Sequence, residues 1–276
     1  MHSLQLSWPQ EAISQALSPF WPEFVVEAVP QLDSTNTALL ERARSGHTMP
    51  VLLVTEKQNA GRGRMGRQWH NPQPAGGMLA FSLGLPLPAC DLSGLSLVVA
   101  CSVVNSLDAQ QRHGLRIKWP NDLWLDGAAG ERKLGGILVE TASFVAPNAP
   151  ASTRYVVVGI GLNVLPRDAA GLSLPAGCLQ ELDAALDAPT ALALIAAPLV
   201  NMLQLFEAYG FEPMQPRFDR RDVLRGCTVL LSDGTSGVAH GVGADGALMV
   251  WTAAGMQAVT SSEISVRPAG RVPAGP

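Results

Sequence analysis

The residues with the most evident chemistry lie in one short run, Gly61-Arg62-Gly63-Arg64-Met65-Gly66-Arg67. It contains the literal pattern G-x-G-x-x-G, so a dinucleotide site is the first reading to test. That reading requires the glycines to open a helix directly behind a strand. Here Glu56 to Ala60 separate the run from the preceding apolar stretch, and Pro72 and Pro74 follow it. A helix cannot form there. A P-loop fails as well, because no Gly-Lys-Ser/Thr closes the segment. What remains is an anion cradle. Glycines let consecutive backbone N–H groups turn toward one charge, and Arg62, Arg64 and Arg67 offer planar forks for carboxylate or phosphate. Like charges this close repel, so the loop is expected to order around an anionic ligand. A solvated loop with a chance cluster of charge is the bland alternative.

Three further segments could meet such a ligand. Lys133 precedes Gly135 and Gly136 inside an apolar run. Glycine within a strand marks a bulge or a close approach by ligand or backbone, and either reading fits here. Lys118-Trp119-Pro120-Asn121-Asp122 reads as a strand end and turn, with Trp119 in the core and Asp122 as a turn cap or a site carboxylate. Gly159-Ile160-Gly161-Leu162-Asn163 ends another apolar strand. Its glycines would let a planar group come close, while a plain strand-end amide explains Asn163 equally well.

The elements that must position these residues can be outlined from periodicity. A short helix is expected at 10–18 and a strand at 24–29. Asp33-Ser34-Thr35-Asn36 supplies N-cap oxygens ahead of the periodic Ala38, Leu39, Leu40 and Ala43. Strands follow at 51–55 and 78–85, with a helix at 93–112 between the second of these and the strand-rich middle. There LRIKW, DLWL, KLGGILVE and YVVVGIG read as strands, and turns at Pro120-Asn121 and Asp126-Gly127 separate the first three, which suggests an antiparallel meander. A polar loop covers 146–153 and helices cover 190–209. From Gly226 onward, short strands alternate with Gly, Asp and Ser turns, which suggests a small all-β barrel. The boundaries drawn are 1–222 for a ligand-binding domain, 223–270 for the barrel and 271–276 for a mobile tail.

Composition narrows the class. The chain has 276 residues, 47% hydrophobic and 15% charged, with a net charge of −4. That is enough apolar material for a buried core and too little charge for a disordered chain. The acidic balance argues against broad nucleic-acid binding. Cys90, Cys101, Cys178 and Cys227 have neither zinc-ligand nor disulfide-framework spacing and fit a reducing, cytoplasmic setting. The first residues lack a basic start and a long apolar run, so they are not a signal peptide. The longest apolar stretch, near Leu95 to Val104, is too short for a bilayer.

Taken together and in order, Gln31 through Asn36, Gln58 through Trp69, Lys118 through Asp122, Lys133 through Glu140 and Gly159 through Asn163 resemble the biotin protein ligases. The resemblance runs from about residue 25 to the end. It implies an α+β chain, with a catalytic domain of class II aminoacyl-tRNA synthetase type and an SH3-like C-terminal barrel. It implies that biotin and MgATP give biotinyl-5′-adenylate, and that the adenylate passes biotin to one lysine of a biotin carboxyl carrier protein. By similarity, Ser34, Thr35, Asn36 and Gln58 line the biotin pocket. Gly61, Arg62, Gly63, Arg64, Lys133, Gly135 and Gly136 hold the acyl-phosphate region, with Arg64 and Lys133 catalytic. Arg64, Asp122, Lys133, Asn163 and Arg267 serve the nucleotide. Adenylation and acyl transfer need no enzyme nucleophile, so orientation and well-placed positive charge must supply the rate.

The segment from His70 to Gly77 is longer than the usual turn of the family. Some relatives carry a winged helix-turn-helix, but only about thirty residues precede Ser34, so operator binding is not expected. Neither is membrane association. A homodimer stays open. The competing readings are a lipoate or octanoate ligase, which would want an apolar acyl tunnel, and a biotin-sensing protein that keeps the fold without the chemistry.

Overall fold

The computed structural model describes residues 5–69, 74–87, 91–127, 130–143, 153–167, 176–260 and 266–268. The His70–Gln73 part of the unusual turn, most of the loop at 146–153 and the tail at 271–276 lie outside the described residues.

The chain opens with α1 (Gln10–Leu17), β1 (Val25–Leu32), α2 (Thr35–Arg44) and β2 (Val51–Gln58). Next come β3 (Met78–Leu87), α3 (Leu95–Leu107), β4 (Leu115–Lys118), β5 (Asp122–Gly127), β6 (Gly130–Ser143) and β7 (Arg154–Asn163). After α4 (Ala188–Tyr209) and the short α5 (Gln215–Asp219), the chain ends in β8 (Thr228–Leu231), β9 (Ser236–Val242), β10 (Leu248–Thr252), β11 (Gly255–Val259) and β12 (Val266–Pro268). Strands β1 and β2 run on to Leu32 and Gln58, further than periodicity suggested, and α3 stops at Leu107 rather than 112. It stops because Asp108 leaves helical geometry and its carboxylate accepts from the Arg112 and His113 amides.

Seven strands form one sheet in the order β1-β2-β3-β7-β6-β5-β4, parallel between β1 and β2 and antiparallel elsewhere. Side chains alternate across a strand, and β2, β3 and β7 follow that alternation. Leu52, Val54, Leu79, Phe81, Val156, Val158 and Ile160 face the main core under α1, α3 and α4. Val51, Leu53, Tyr155 and Val157 face the other way, against Leu39, Leu40 and Ala43 of α2. α3 is buried nearly all round, as a helix apolar on every side should be.

The longest apolar helix is α4, with 22 residues, and not the 95–104 stretch. It is long and apolar enough to cross a bilayer, but half of its most apolar window is buried in the protein, and it packs on α1, α3 and β3. That is the signature of a core helix.

The second sheet has the order β11-β10-β9-β8-β12 and is antiparallel throughout. Its buried residues Val229, Leu231, Ala239, Val242, Leu248 and Val250 join the main core without a break. The seam is also polar. Trp119 Nε1–H donates to the Gly246 carbonyl at 3.0 Å, and Gln215 donates to that of Val242 at 2.6 Å. Residues 221–223 run beside β4, where Ile117 and Val223 exchange backbone hydrogen bonds with Arg221 and Ile117.

In this seam Asp222 is 3% exposed. One carboxylate oxygen accepts from the Leu224 amide at 2.8 Å and the other, buried, has no hydrogen-bond partner. Burial pushes its pKa up to about 6. A raised carboxyl pKa adds stability below the unfolded value near 3.9, and that stability is lost as pH rises through about 6. Between pH 5 and pH 7 the loss amounts to about 1 kcal/mol. Urea unfolding at both pH values should therefore show a pH dependence about 1 kcal/mol smaller in Asp222→Asn than in the parent chain.

Candidate active site

The site is built on the face of the large sheet that α2 covers only in part. One row of register partners crosses five strands there: Ala80, Gly161, Gly136, Asp122 and Lys118. The neighbouring row is Ser82, Gly159 and Leu138. Small residues make a low floor, and charge stands at its far end.

The floor is shaped by what leans on it. A Cβ on Gly159 would fall 2.1 Å from Asn36 Oδ1, and one on Gly161 would fall 2.8 Å from the Trp69 ring. Both glycines are therefore required by close approach, one to an α2 side chain and the other to the end of the Gly–Arg loop. Gly135 faces the backbone instead, where a Cβ would meet the Gly161 carbonyl at 2.3 Å.

Lys133 reaches this face through a bulge. Leu123 pairs with Gly135 and Trp124 with Lys133, so Leu134 is the extra residue. A bulge re-aims the side chains beside it. Leu134 goes into the core, and Lys133 joins Gly136 on the site face. Its ammonium lies 2.6 Å from Asp122 Oδ1 and 5.6 Å from the centre of the Trp69 ring. The two explanations offered for the glycine pair, a bulge and a close approach, are thus both present. Asp122 is a partner of Lys133 as well as a turn residue.

The N-cap reading at Ser34 is borne out: its side chain accepts from the Thr37 amide at 3.4 Å, from extended geometry. Capping places Thr35 and Asn36 at the start of α2, facing the sheet. The Thr35 amide donates to Gln58 Oε1 at 2.9 Å, which leaves the Gln58 amide nitrogen to turn toward Gly61. Asn36 donates to the Leu138 carbonyl and to Glu140, and its oxygen receives Ser82. Both of its donors and its oxygen thus have partners inside the protein. Asn163 is similar: it donates to the carbonyls of Lys133 and Gly177, accepts from Arg167, and is 3% exposed.

The Gly–Arg loop forms a narrow hairpin, not the start of an α-helix. Arg62 bridges Gln68, the Gly63 amide donates to the Arg67 carbonyl at 2.7 Å, and the Trp69 amide donates to that of Gly61 at 2.8 Å. Met65 and Gly66 take successive left-handed conformations at the tip. The cations are steadied from the sheet. Arg62 forks onto Glu140, and Arg64 reaches Asn121 at 3.2 Å. Burial lowers the Arg64 pKa, with Asp122 opposing the shift and Arg67 adding to it. The guanidinium stays charged even so. Burial likewise lowers Lys118, with Asp122 again opposing and Lys133 and Arg67 adding. The cations Arg64, Arg67, Lys118 and Lys133 outnumber the carboxylates beside them, Asp122 and Glu131, which favours an anion on this face.

Residues 28–163 match the family model described as Biotin/lipoate A/B protein ligase family. The bifunctional ligase/repressor BirA of Escherichia coli is 32% identical over 88% of this chain and 74% of its own length. The biotin–[acetyl-CoA-carboxylase] ligase of Paracoccus denitrificans is 30% identical over 84% of this chain and 96% of its own. The chain belongs to the biotin protein ligase family. A solved relative, the biotin protein ligase from Aquifex aeolicus in complex with biotin and ATP, superposes with a TM-score of 0.70 at 26% identity, covering 88% of this chain and 98% of that one.

Of the residues singled out from the sequence, the fold brings Thr35, Gln58, Arg62, Arg64, Asp122 and Lys133 to one face. Arg267 pairs through its backbone with Leu230 on the small sheet, and its side chain lies outside the described residues. Four members were not singled out from the sequence as site residues: Lys118, Trp69, Ser82 and Glu140. Ser82 and Glu140 did leave a trace, being polar residues inside apolar strands. Lys118 and Trp69 left none beyond their segments, because only the register shows that they face the floor.

Proposed function

We propose that the chain is an ATP-dependent ligase that joins biotin to a lysine of a biotin carboxyl carrier protein. The observation that carries this reading is the convergence of Lys133, Arg64 and Lys118 on a glycine floor, next to a slot edged by Thr35 and Gln58. A ureido ring is neutral and polar and needs paired donors and acceptors in an otherwise apolar slot. Thr35 and Gln58 supply them, with Ser34 beside them. Arg62, Gly63 and Arg64 face the acyl chain's carboxylate. Asn36 and Asn163 act from beneath, one holding the slot and the other holding the Lys133 backbone.

In the first step a biotin carboxylate oxygen attacks the α-phosphorus of ATP. The bond to the β-phosphate oxygen breaks, and pyrophosphate leaves with the electron pair. Negative charge grows on the α-phosphoryl oxygens, where Lys133 and Arg64 stabilise it in a partly desolvated site. In the second step the acceptor lysine's neutral amine attacks the acyl carbon, AMP departs and the amine proton goes to solvent. Among the described residues there is no group of three or more His, Cys, Asp or Glu side chains able to hold an ion, so the residues do not fit a protein-caged metal. Mg2+ enters as the ion of the ATP substrate, bound mainly by its phosphates, with Asp122 the carboxylate beside Lys133. Arg267 contributes to the nucleotide from the small sheet. The large sheet and its helices are read as a class II aminoacyl-tRNA synthetase-like domain over 1–222, and the five-stranded sheet as an SH3-like barrel over 223–270.

Mass spectrometry of a purified carrier domain, incubated with the chain, biotin and MgATP, tests this. One biotin-sized increase on a single lysine, dependent on ATP, is expected. Incorporation of lipoate in place of biotin would move the chain to the lipoate branch, and failure to form even the free adenylate would overturn the ligase reading.

A further inference from the structure

Four side chains beneath the slot form a hydrogen-bonded line whose direction can be worked out. Asn36 Nδ2 lies 3.1 Å from the Leu138 carbonyl oxygen and 3.0 Å from Glu140 Oε2. Both partners can only accept, so the amide orientation is fixed and Oδ1 faces Ser82. Ser82 Oγ is 2.7 Å from Asn36 Oδ1 and 2.6 Å from Thr35 Oγ1. A hydroxyl has one proton. The amide oxygen cannot donate, so the Ser82 proton goes to Asn36. The 2.6 Å contact is then made by the Thr35 hydroxyl donating to Ser82. Gln58 Oε1, at 3.3 Å from Thr35 Oγ1, is served by the shorter bond from the Thr35 amide at 2.9 Å. Every donation therefore runs from Thr35 through Ser82 and Asn36 to Glu140.

The line is sealed. Ser82, Asn36 and Thr35 are 0%, 3% and 4% exposed, so water cannot substitute for a missing partner. Its terminus is a carboxylate that is also the anchor of the loop. Glu140 Oε1 lies 2.9 Å from one Arg62 nitrogen and Oε2 lies 3.3 Å from the other. A fork of this kind fixes both distance and plane.

We propose that Glu140 is a positioning residue for the ligand slot. Together with the Leu138 carbonyl it sets the direction of the buried line, so that Thr35 spends its only proton inward and meets the ligand as an acceptor. The same carboxylate ties Arg62, and with it the Gly–Arg loop, to the sheet. A slot edged by the Thr35 lone pair and the Gln58 amide nitrogen selects a ring that offers an N–H beside a carbonyl, as a cyclic urea does. A ring with oxygen at that position would place lone pair against lone pair. The assignment rests on the biotin ligase reading and extends it to the origin of ring selectivity.

Titration calorimetry of the full chain with biotin, without ATP, provides the test. Glu140→Gln keeps the size but removes the acceptor-only end of the line and the charge that holds the Arg62 fork, and biotin should bind about tenfold more weakly or worse. Ser82→Ala cuts the same line at its middle and should cause a comparable loss. Because both act through one line, the double variant should lose little more than the worse single variant, while KM for ATP stays at the parent value in each. A second readout does not depend on how Glu140→Gln folds. The parent chain should prefer biotin to its isosteric cyclic carbamate, with oxygen replacing the N–H that faces Thr35, by about tenfold or more. Ser82→Ala should shrink that preference, since Thr35 is then free to turn its proton outward. Parent-level affinity in a folded Glu140→Gln chain, losses that simply multiply, or an unchanged preference in Ser82→Ala would each overturn the assignment. A parent chain that binds no biotin at all would remove the ligase reading and this assignment together.

Discussion

Replacing Lys133 with alanine is expected to slow biotinyl-adenylate formation by about 10²–10³-fold, with little change in the melting temperature. The ammonium is the one cation that the β6 bulge directs onto the glycine floor, 2.6 Å from Asp122 and above the Trp69 ring. Its contribution is specific to the transition state, because charge on the phosphoryl oxygens grows as the carboxylate attacks. kcat should therefore fall much more than the biotin dissociation constant rises. The fold should not notice. Arg64 and Lys118 also lie within the field of Asp122, so removing Lys133 does not leave that carboxylate without a neighbouring cation. Release of pyrophosphate from the purified variant, followed alongside its thermal melt, checks both halves. Parent-like adenylation rates would remove Lys133 from the chemistry.

Replacing Arg221 with methionine is expected to do the reverse, costing about 3–5 kcal/mol of stability without touching the pocket. Arg221 and Asp108 are both 3% exposed. The guanidinium donates to the Asp108 carboxylate at 2.9 Å, to the Leu115 carbonyl at 2.8 Å and to the Asp108 carbonyl. It thus joins the end of α3, the start of β4 and the segment that leads into the small sheet. Removing it strands a buried carboxylate and two carbonyls. Burial alone would raise the Asp108 pKa, but hydrogen bonds from Arg221 and from the Arg112 and His113 amides outweigh it and leave the value lowered. A lowered carboxyl pKa gives stability that is present above the unfolded value near 3.9 and lost as pH falls through the folded value. Urea midpoints should show the large loss at neutral pH, and the variant should lack this acid-side dependence. Adding Asp108→Asn should recover part of the loss, since the stranded charge is gone. A midpoint within experimental error of the parent would show that the pair is replaceable by water.

The sequence was informative wherever chemistry is local. Ser34 announced itself as a cap because an N-cap needs only its own side chain and the next turn of backbone. The Gly–Arg run could be stripped of its dinucleotide reading because the prolines that follow forbid the helix it requires, and of its P-loop reading because no Gly-Lys-Ser/Thr closes it. The strand runs of the middle segment and the short strands after Gly226 were visible from alternation and turn residues, though their ends were not. Pairing with a neighbour carried β1 and β2 past the last residue that periodicity could justify.

By itself, then, the sequence determined the cap, the Gly–Arg loop as a non-helical segment, the succession of strands along the chain and the family to which these segments belong. It could not determine which residues share a face, because that depends on register. A one-residue bulge at Leu134 sends Lys133 to the floor instead of the core, and the pairing of β3, β7, β6, β5 and β4 aligns Ala80, Gly161, Gly136, Asp122 and Lys118 from five separate strands. Tertiary structure also decided that Asn36 and Asn163 are spent inside the protein and that Glu140 closes the line beneath Thr35. Hydrogen-bond direction is a property of partners brought together from positions 35, 36, 82 and 140, and spacing along the chain does not encode it.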